Sequence, residues 1–188
     1  MRLRSLIHVV RITQIAARSD RIVVFGSSSL LAFFPELGEP GGPLESSFDA
    51  DLLLDPCEEA LAAMMDEAIG QDRKFHAHFG YYADFLRPGI TNQLPPGWEE
   101  RLAPVPECDG VFSIEPHDLA VAKLHAGRPK DIDLLAFLLQ EGYLDEQTLR
   151  TRLKATVMQE RVIIFTHRNL DAVVAKGRGG ESASGPPS

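Results

Sequence analysis

Leu3, Leu6, Ile7 and Val10 recur at helical spacing over residues 3–18, while Arg4, Arg11 and Arg18 repeat every seven residues on another face. That pattern predicts an amphipathic helix. Arg21-Ile-Val-Val-Phe25 is short, apolar and β-branched and stops at Gly26, so it reads as a buried strand. Residues 27–34 are expected to be a helix, opened by serines that can cap it and closed before Pro35. The Gly- and Pro-rich stretch 38–47 reads as a loop. A second strand is expected over 48–54, a helix from Pro56, in its first turn, to about Ile69, and a third strand over 81–86. Pro88, Pro95, Pro96, Pro104 and Pro106 confine 88–106 to connections and edge structure. Residues 111–114 make a fourth short strand. Pro116 then opens a helix that stops at Gly127, and Pro129 opens another to about Glu141. Residues 145–176 read as helical, although Val162–Phe165 has the composition of a strand, and no internal repeat interrupts the series.

Composition narrows the setting. The 188 residues are 44% hydrophobic and 24% charged, as in an ordinary globular protein with a real core. No apolar run approaches the roughly 20 residues of a membrane span, and Arg2, Arg4, Arg11 and Arg18 break up the segment a signal peptide would need. Cys57 and Cys108 lack metal-ligand spacing, so free thiols in a cytoplasmic setting are expected. The tail 177–188 has nothing to bury and is expected to be disordered.

The net charge of −8 argues against a protein that coats nucleic acid. Its distribution is uneven: between Ile22 and Asp72 there is no Lys or Arg, whereas basic residues gather over 123–130 and again over 150–168. The acidic stretch is either a solvated face or, at a few positions, a place that attracts a cation, with phosphates between it and the later basic cluster.

Three segments could carry that chemistry. Gly26-Ser27-Ser28-Ser29 follows a strand and opens a predicted helix, where glycine permits close backbone approach and unpaired N–H groups suit phosphate; the same turn also serves as plain punctuation. In Phe48-Asp49-Ala50-Asp51-Leu52 the two aspartates are i and i+2 on a strand, hence on one face. Ionised carboxylates about 5 Å apart repel by roughly 3 kcal/mol at an effective dielectric near 20, and a divalent cation removes that repulsion. Oxygen ligands favour Mg²⁺ or Mn²⁺; the alternative is a solvent-facing pair at a strand edge. The third segment is Pro116 to Asp133. Lys123 sits there in an otherwise apolar helix, with Arg128 and Lys130 at the following turn. A phosphate would account for these cations, and so would ion pairs with Asp118, Asp131 or Asp133. His76 and His78 would be i, i+2 ligands only on an extended segment and are expected to be structural. Trp98 is expected to pack a loop onto the core.

The order of strand, Gly26-Ser27, helix and Asp49-x-Asp51 strand resembles the core of the DNA polymerase β-like nucleotidyltransferase superfamily. The run Lys123-x-x-Ala126-x-Arg128-x-Lys130-Asp131 looks like motifs of its AbiEii-like branch, which includes toxin-type proteins, and Tyr81-Tyr82-Ala83-Asp84 and Leu94-Pro95-Pro96-Gly97-Trp98 look like segments of small members of that group. The resemblance covers roughly 21–142. It implies an α/β (α+β) fold, a mixed nucleotidyltransferase-type sheet flanked by helices, placed over 1–142; the helical pattern beyond it is expected to form a C-terminal helical extension over 143–176. It also implies an NTP substrate and Mg²⁺ (or Mn²⁺). By position, Gly26, Ser27, Lys123, Arg128 and Lys130 would bind the nucleotide, and Asp49 and Asp51 the metal. Asp84, on the next strand, is the candidate for the third catalytic carboxylate beside them. The acceptor would be a tRNA, a protein or a small molecule, and an antitoxin-type protein is a possible partner; the basic segment 150–168 would give a tRNA a local grip. The rival reading is a non-catalytic member of the fold that binds a protein, marked by a missing third carboxylate or by an absence of Mg²⁺ binding.

Overall fold

A computed structural model describes residues 1–56, 58–87 and 89–179. Cys57, Pro88 and the tail from residue 180, all named above, lie outside the described residues. The chain forms two compact units, one of Met1–Asn92 with Trp98–Glu115, the other of Gln93–Gly97 with the chain from Pro116 onward.

The first unit is α+β. Helix α1 (Leu3–Ala17) precedes strand β1 (Arg21–Phe25), and two short 3₁₀ turns, Ser27–Ala32 and Pro35–Gly38, lead to β2 (Asp49–Asp55). Helices α2 (Glu59–Ile69) and α3 (Lys74–Phe79), strand β3 (Tyr82–Phe85), and the short strands β4 (Ala103–Pro104) and β5 (Val111–Ser113) complete it. The strands form one five-stranded mixed sheet in the order β3-β2-β1-β5-β4. Neighbours β1 and β2 are antiparallel, β2 and β3 parallel, β1 and β5 parallel.

Side chains alternate across the strands. Residues paired directly across the ladder share a face, so Ile22, Val24, Ala50, Leu52, Leu54 and Ala83 lie together, and all are essentially buried. Leu6, Val9 and Val10 of α1 and Met65 of α2 are buried with them, and α1 packs on β1 and α2 on β3. Each large apolar side chain so covered contributes about 1.5–3 kcal/mol.

The second unit is helical: α4 (Pro116–Ala126), α5 (Pro129–Gln140), α6 (Glu146–Ala155) and α7 (Glu160–Gly179). Helix α4 is buried on most of its circumference through Leu119, Ala120, Val121 and Leu124, and α5, α6 and α7 all pack against it. Among the described residues no helix is long and apolar enough to cross a membrane.

The differences from expectation are local. Residues 27–32 are 3₁₀ rather than α-helical, since the Ser29 hydroxyl and N–H both donate to the Gly26 carbonyl, tightening the first turn to an i to i+3 pattern. Helix α2 begins at Glu59, so Pro56 lies outside it. Helix α3 is an addition to the expected elements, six residues closed by Gly80 in the left-handed region (φ 75°), so His76 and His78 are helical and not an extended ligand pair. The expected helix over 145–176 is two helices: Asp145 caps α6 by accepting the Thr148 N–H, and Thr156 is extended. Val162–Phe165 is helical, and α7 continues through Gly179, so the first three residues of the expected disordered tail are ordered.

Candidate active site

The burial that makes the core also builds the site. With Ala50, Leu52 and Leu54 committed to the covered face, Asp49 and Asp51 must point from the opposite one, where they are half-buried. A one-residue slip of β2 would bury both carboxylates and expose three apolar side chains, so the register is strongly specified. On the parallel neighbour, Asp84 stands directly across from Asp51, and Tyr82 from Asp49.

The structure thus brings Asp49, Asp51 and Asp84 together, with one carboxylate oxygen from each lying within 4.8 Å of the others. Like charges placed opposite each other on adjacent strands are destabilising, and each pair at this distance repels by roughly 3 kcal/mol at an effective dielectric near 20. Burial first, and then the charges of Asp49 and Asp66, push the Asp84 carboxyl above its ordinary value. Asp66 reaches β3 from α2, where it accepts a long hydrogen bond from the Phe85 N–H (3.4 Å) and lies 3.8 Å from Arg87. Asp49 is oriented by the Ser47 hydroxyl, which donates to its Oδ1 at 3.2 Å.

Gly26 closes one side of the cluster. It has φ 61°, a backbone state that side chains rarely adopt, and a Cβ built on it would lie 1.7 Å from the Asp51 carboxylate. The glycine is therefore required by the carboxylate itself. Ser27 starts the 3₁₀ turn that follows, so the turn offers a short 3₁₀ start in place of the expected α-helical N-terminus.

Aromatic side chains flank the acids on the same sheet face. Trp98 packs on Phe25 (5.8 Å between ring centroids), the residue paired with Asp51, in keeping with the loop-packing role expected of it. Tyr82, on the expected third strand, packs against His76 at 4.7 Å. Burial, and then the charges of Asp84, Asp49, Asp51 and Asp72, hold its hydroxyl above the ordinary tyrosine value. Neither Tyr82 nor Asp66 carries a motif. Tyr82 stands two residues before Asp84, and that spacing was the available signal.

In the second unit the cations of the Lys123–Lys130 run are arranged around a carboxylate. Lys123 is 5% exposed and donates to Asp131 Oδ1 at 2.8 Å, and Arg128 Nε donates to Asp131 Oδ2 at 2.6 Å. Burial works to raise the Asp131 carboxyl, but the hydrogen bonds and charges of Arg128 and Lys123 outweigh it and hold the group below its ordinary value. Lys130 is exposed. Asp133 pairs with Lys176 (2.7 Å), and fully buried Asp118 lies 3.6 Å from Arg152.

A mixed sheet that gathers a Gly-Ser turn and three carboxylates at one end is the arrangement of a nucleotidyltransferase-type domain. The chain belongs to the family described as "Nucleotidyltransferase of unknown function (DUF6036)", whose model matches residues 2–170. No curated protein and no solved structure matches it.

Proposed function

We propose that this chain transfers a nucleotidyl group from a metal-bound nucleoside triphosphate to an acceptor hydroxyl, releasing pyrophosphate. The observation that carries the reading is the convergence of Asp49, Asp51 and Asp84 beside Gly26. The three ligand atoms are all carboxylate oxygens, a donor set that suits a hard divalent cation such as Mg²⁺ or Mn²⁺. Such an ion, held by Asp49 and Asp51 with Asp84 beside them, would neutralise the crowded charge and polarise the phosphate.

The chain's own residues do the rest. The Gly26 and Ser27 backbone, at the turn beside Asp51, contacts the phosphates. Asp84 accepts the proton of the acceptor hydroxyl as that oxygen bonds to the α-phosphorus and the bond to the pyrophosphate oxygen breaks. A carboxyl pushed above its ordinary value by burial and neighbouring acids is a better proton acceptor than an exposed aspartate. In the second unit Lys123 and Arg128 both donate to Asp131, which favours the ion-pair reading for these two residues, while the exposed Lys130 keeps a phosphate role in this proposal.

The position of Asp84 beside Asp49 and Asp51 counts against the non-catalytic rival, whose other mark, an absence of Mg²⁺ binding, is a matter for titration. Membership of the AbiEii-like branch, and a toxin-type role with an antitoxin-like protein partner, belong to the same proposal and rest on the Lys123–Asp131 run and the family-like segments. The test is Asp84→Asn. Loss of the general base is expected to slow transfer by about 10²–10⁴-fold while Mg²⁺–NTP affinity is kept, and any growth arrest caused by expressing the chain should disappear with it. Undiminished transfer by the variant would remove Asp84 from the mechanism.

A further inference from the structure

The nucleotidyl-transfer reading leaves the acceptor open, and the two flanks of the carboxylate cluster differ in a way that bears on it. In-line displacement places the attacking and leaving oxygens on opposite sides of the phosphorus. The Gly26-Ser27 turn leaves the sheet from β1, on one side of β2, whereas β3 lies on the other. If the leaving pyrophosphate occupies the turn, the acceptor approaches over β3. The two β3 residues on the site's face are Asp84 and Tyr82, and Tyr82 stands beside Asp49 with its ring backed by His76.

That flank is acidic. Residues 58–87 carry six carboxylates (Glu58, Glu59, Asp66, Glu67, Asp72 and Asp84) against three cations (Arg73, Lys74 and Arg87). Arg73 is bonded to Glu67, and Arg87 pairs with Glu59 and Asp66. A divalent ion among Asp49, Asp51 and Asp84 would offset two of those three charges, and Asp72 adds its own charge beside Tyr82. Such a field attracts cations and repels polyanions.

We propose that Tyr82 positions the acceptor, and that the acceptor is a neutral or cationic hydroxyl compound rather than a phosphate-bearing one. The proposal rests on the nucleotidyl-transfer reading and on the phosphates lying at Gly26-Ser27. The Tyr82 ring offers an apolar face and a hydroxyl, one against the carbon skeleton of the acceptor and the other as a hydrogen-bond partner. Tyr82 acts by orienting the acceptor oxygen towards Asp84, so it is a positioning residue.

Three small diols that differ chiefly in charge test this: 3-amino-1,2-propanediol, glycerol and glycerol 3-phosphate. Each is offered to the full chain with Mg²⁺ and ATP labelled at the α-phosphate, and label transfer is followed alongside calorimetry of Mg²⁺–ATP binding. The aminodiol and glycerol should accept label at least about tenfold better than glycerol 3-phosphate, with the gap narrowing as salt is raised. Tyr82→Ala should raise KM for glycerol about tenfold with ATP affinity unchanged, and Tyr82→Phe should recover most of it. Equal or preferred use of glycerol 3-phosphate, or of bulk tRNA over all three diols, overturns the acceptor class. Loss of ATP binding in Tyr82→Ala overturns the positioning role. Absence of Mg²⁺–ATP binding by the unaltered chain overturns the transfer reading beneath it, whereas binding without transfer to any diol overturns this proposal alone.

Discussion

Removing the Lys123 ammonium would leave Asp131, 1% exposed, with one of its two cationic partners gone. Breaking one side of a buried pair typically costs about 3–5 kcal/mol, and Arg128, still bonded to the other carboxylate oxygen, places the expected loss for Lys123→Ala towards the lower end. Urea melts would measure it. The sign of the pH dependence follows from the depressed folded-state value of Asp131. The contribution of the pair is fully present above the ordinary carboxylate value of 3.8 and is lost as pH falls through the lower folded one. Lys123→Ala should therefore flatten that acid limb. Measuring ATP affinity on the same variant separates the two roles open to this lysine: a stability loss with unchanged affinity assigns it to Asp131, and an affinity loss of about 10- to 100-fold assigns it to phosphate.

At the scale of elements, the turn after β1 and the strands β2 and β3 carry the candidate site, and Gly26 is its tightest point. Gly26→Ala forces a side chain into the left-handed region and against Asp51. It should cost at least about 1 kcal/mol of stability and, by displacing Asp51, should weaken Mg²⁺-dependent nucleotide binding more than a comparable change at Gly80, where a Cβ meets nothing within 4 Å. Equal effects on binding at the two glycines would contradict the placement. Much of this geometry was legible in the chain. Alternation in Asp49-Ala50-Asp51-Leu52 fixes which residues share a face before any partner strand is known, and Asp84 follows from a third strand with the same alternation. What pattern alone could not supply was pairing. That Asp84 sits opposite Asp51, rather than one residue away, depends on the parallel β2–β3 register. Helix α3 escaped for a related reason: with no buried residue it shows no core-facing stripe to read.

Over the whole molecule, the acids of the first unit and the cations of the second are used differently. Lys123, Arg128, Arg150, Arg152, Lys176 and Arg178 all lie within ion-pair distance of carboxylates of their own unit, which accounts for much of the later basic run without a ligand. This also weakens the tRNA grip expected of the segment 150–168, since Arg150 and Arg152 are among the paired residues. The carboxylates Asp49, Asp51 and Asp84 are instead crowded against one another. In a fold stable by only about 5–15 kcal/mol, the divalent cation proposed above would relieve that crowding. The most direct measurement is calorimetric titration of ATP into the chain and into an Asp49→Asn, Asp51→Asn double variant, each with and without Mg²⁺, with melting temperatures taken on both. The unaltered chain should bind ATP in a Mg²⁺-dependent manner, while the double variant should lose that binding and melt no lower, because carboxylate repulsion has been removed. Mg²⁺-dependent binding of ATP by the double variant at the affinity of the unaltered chain would contradict the assignment of this site.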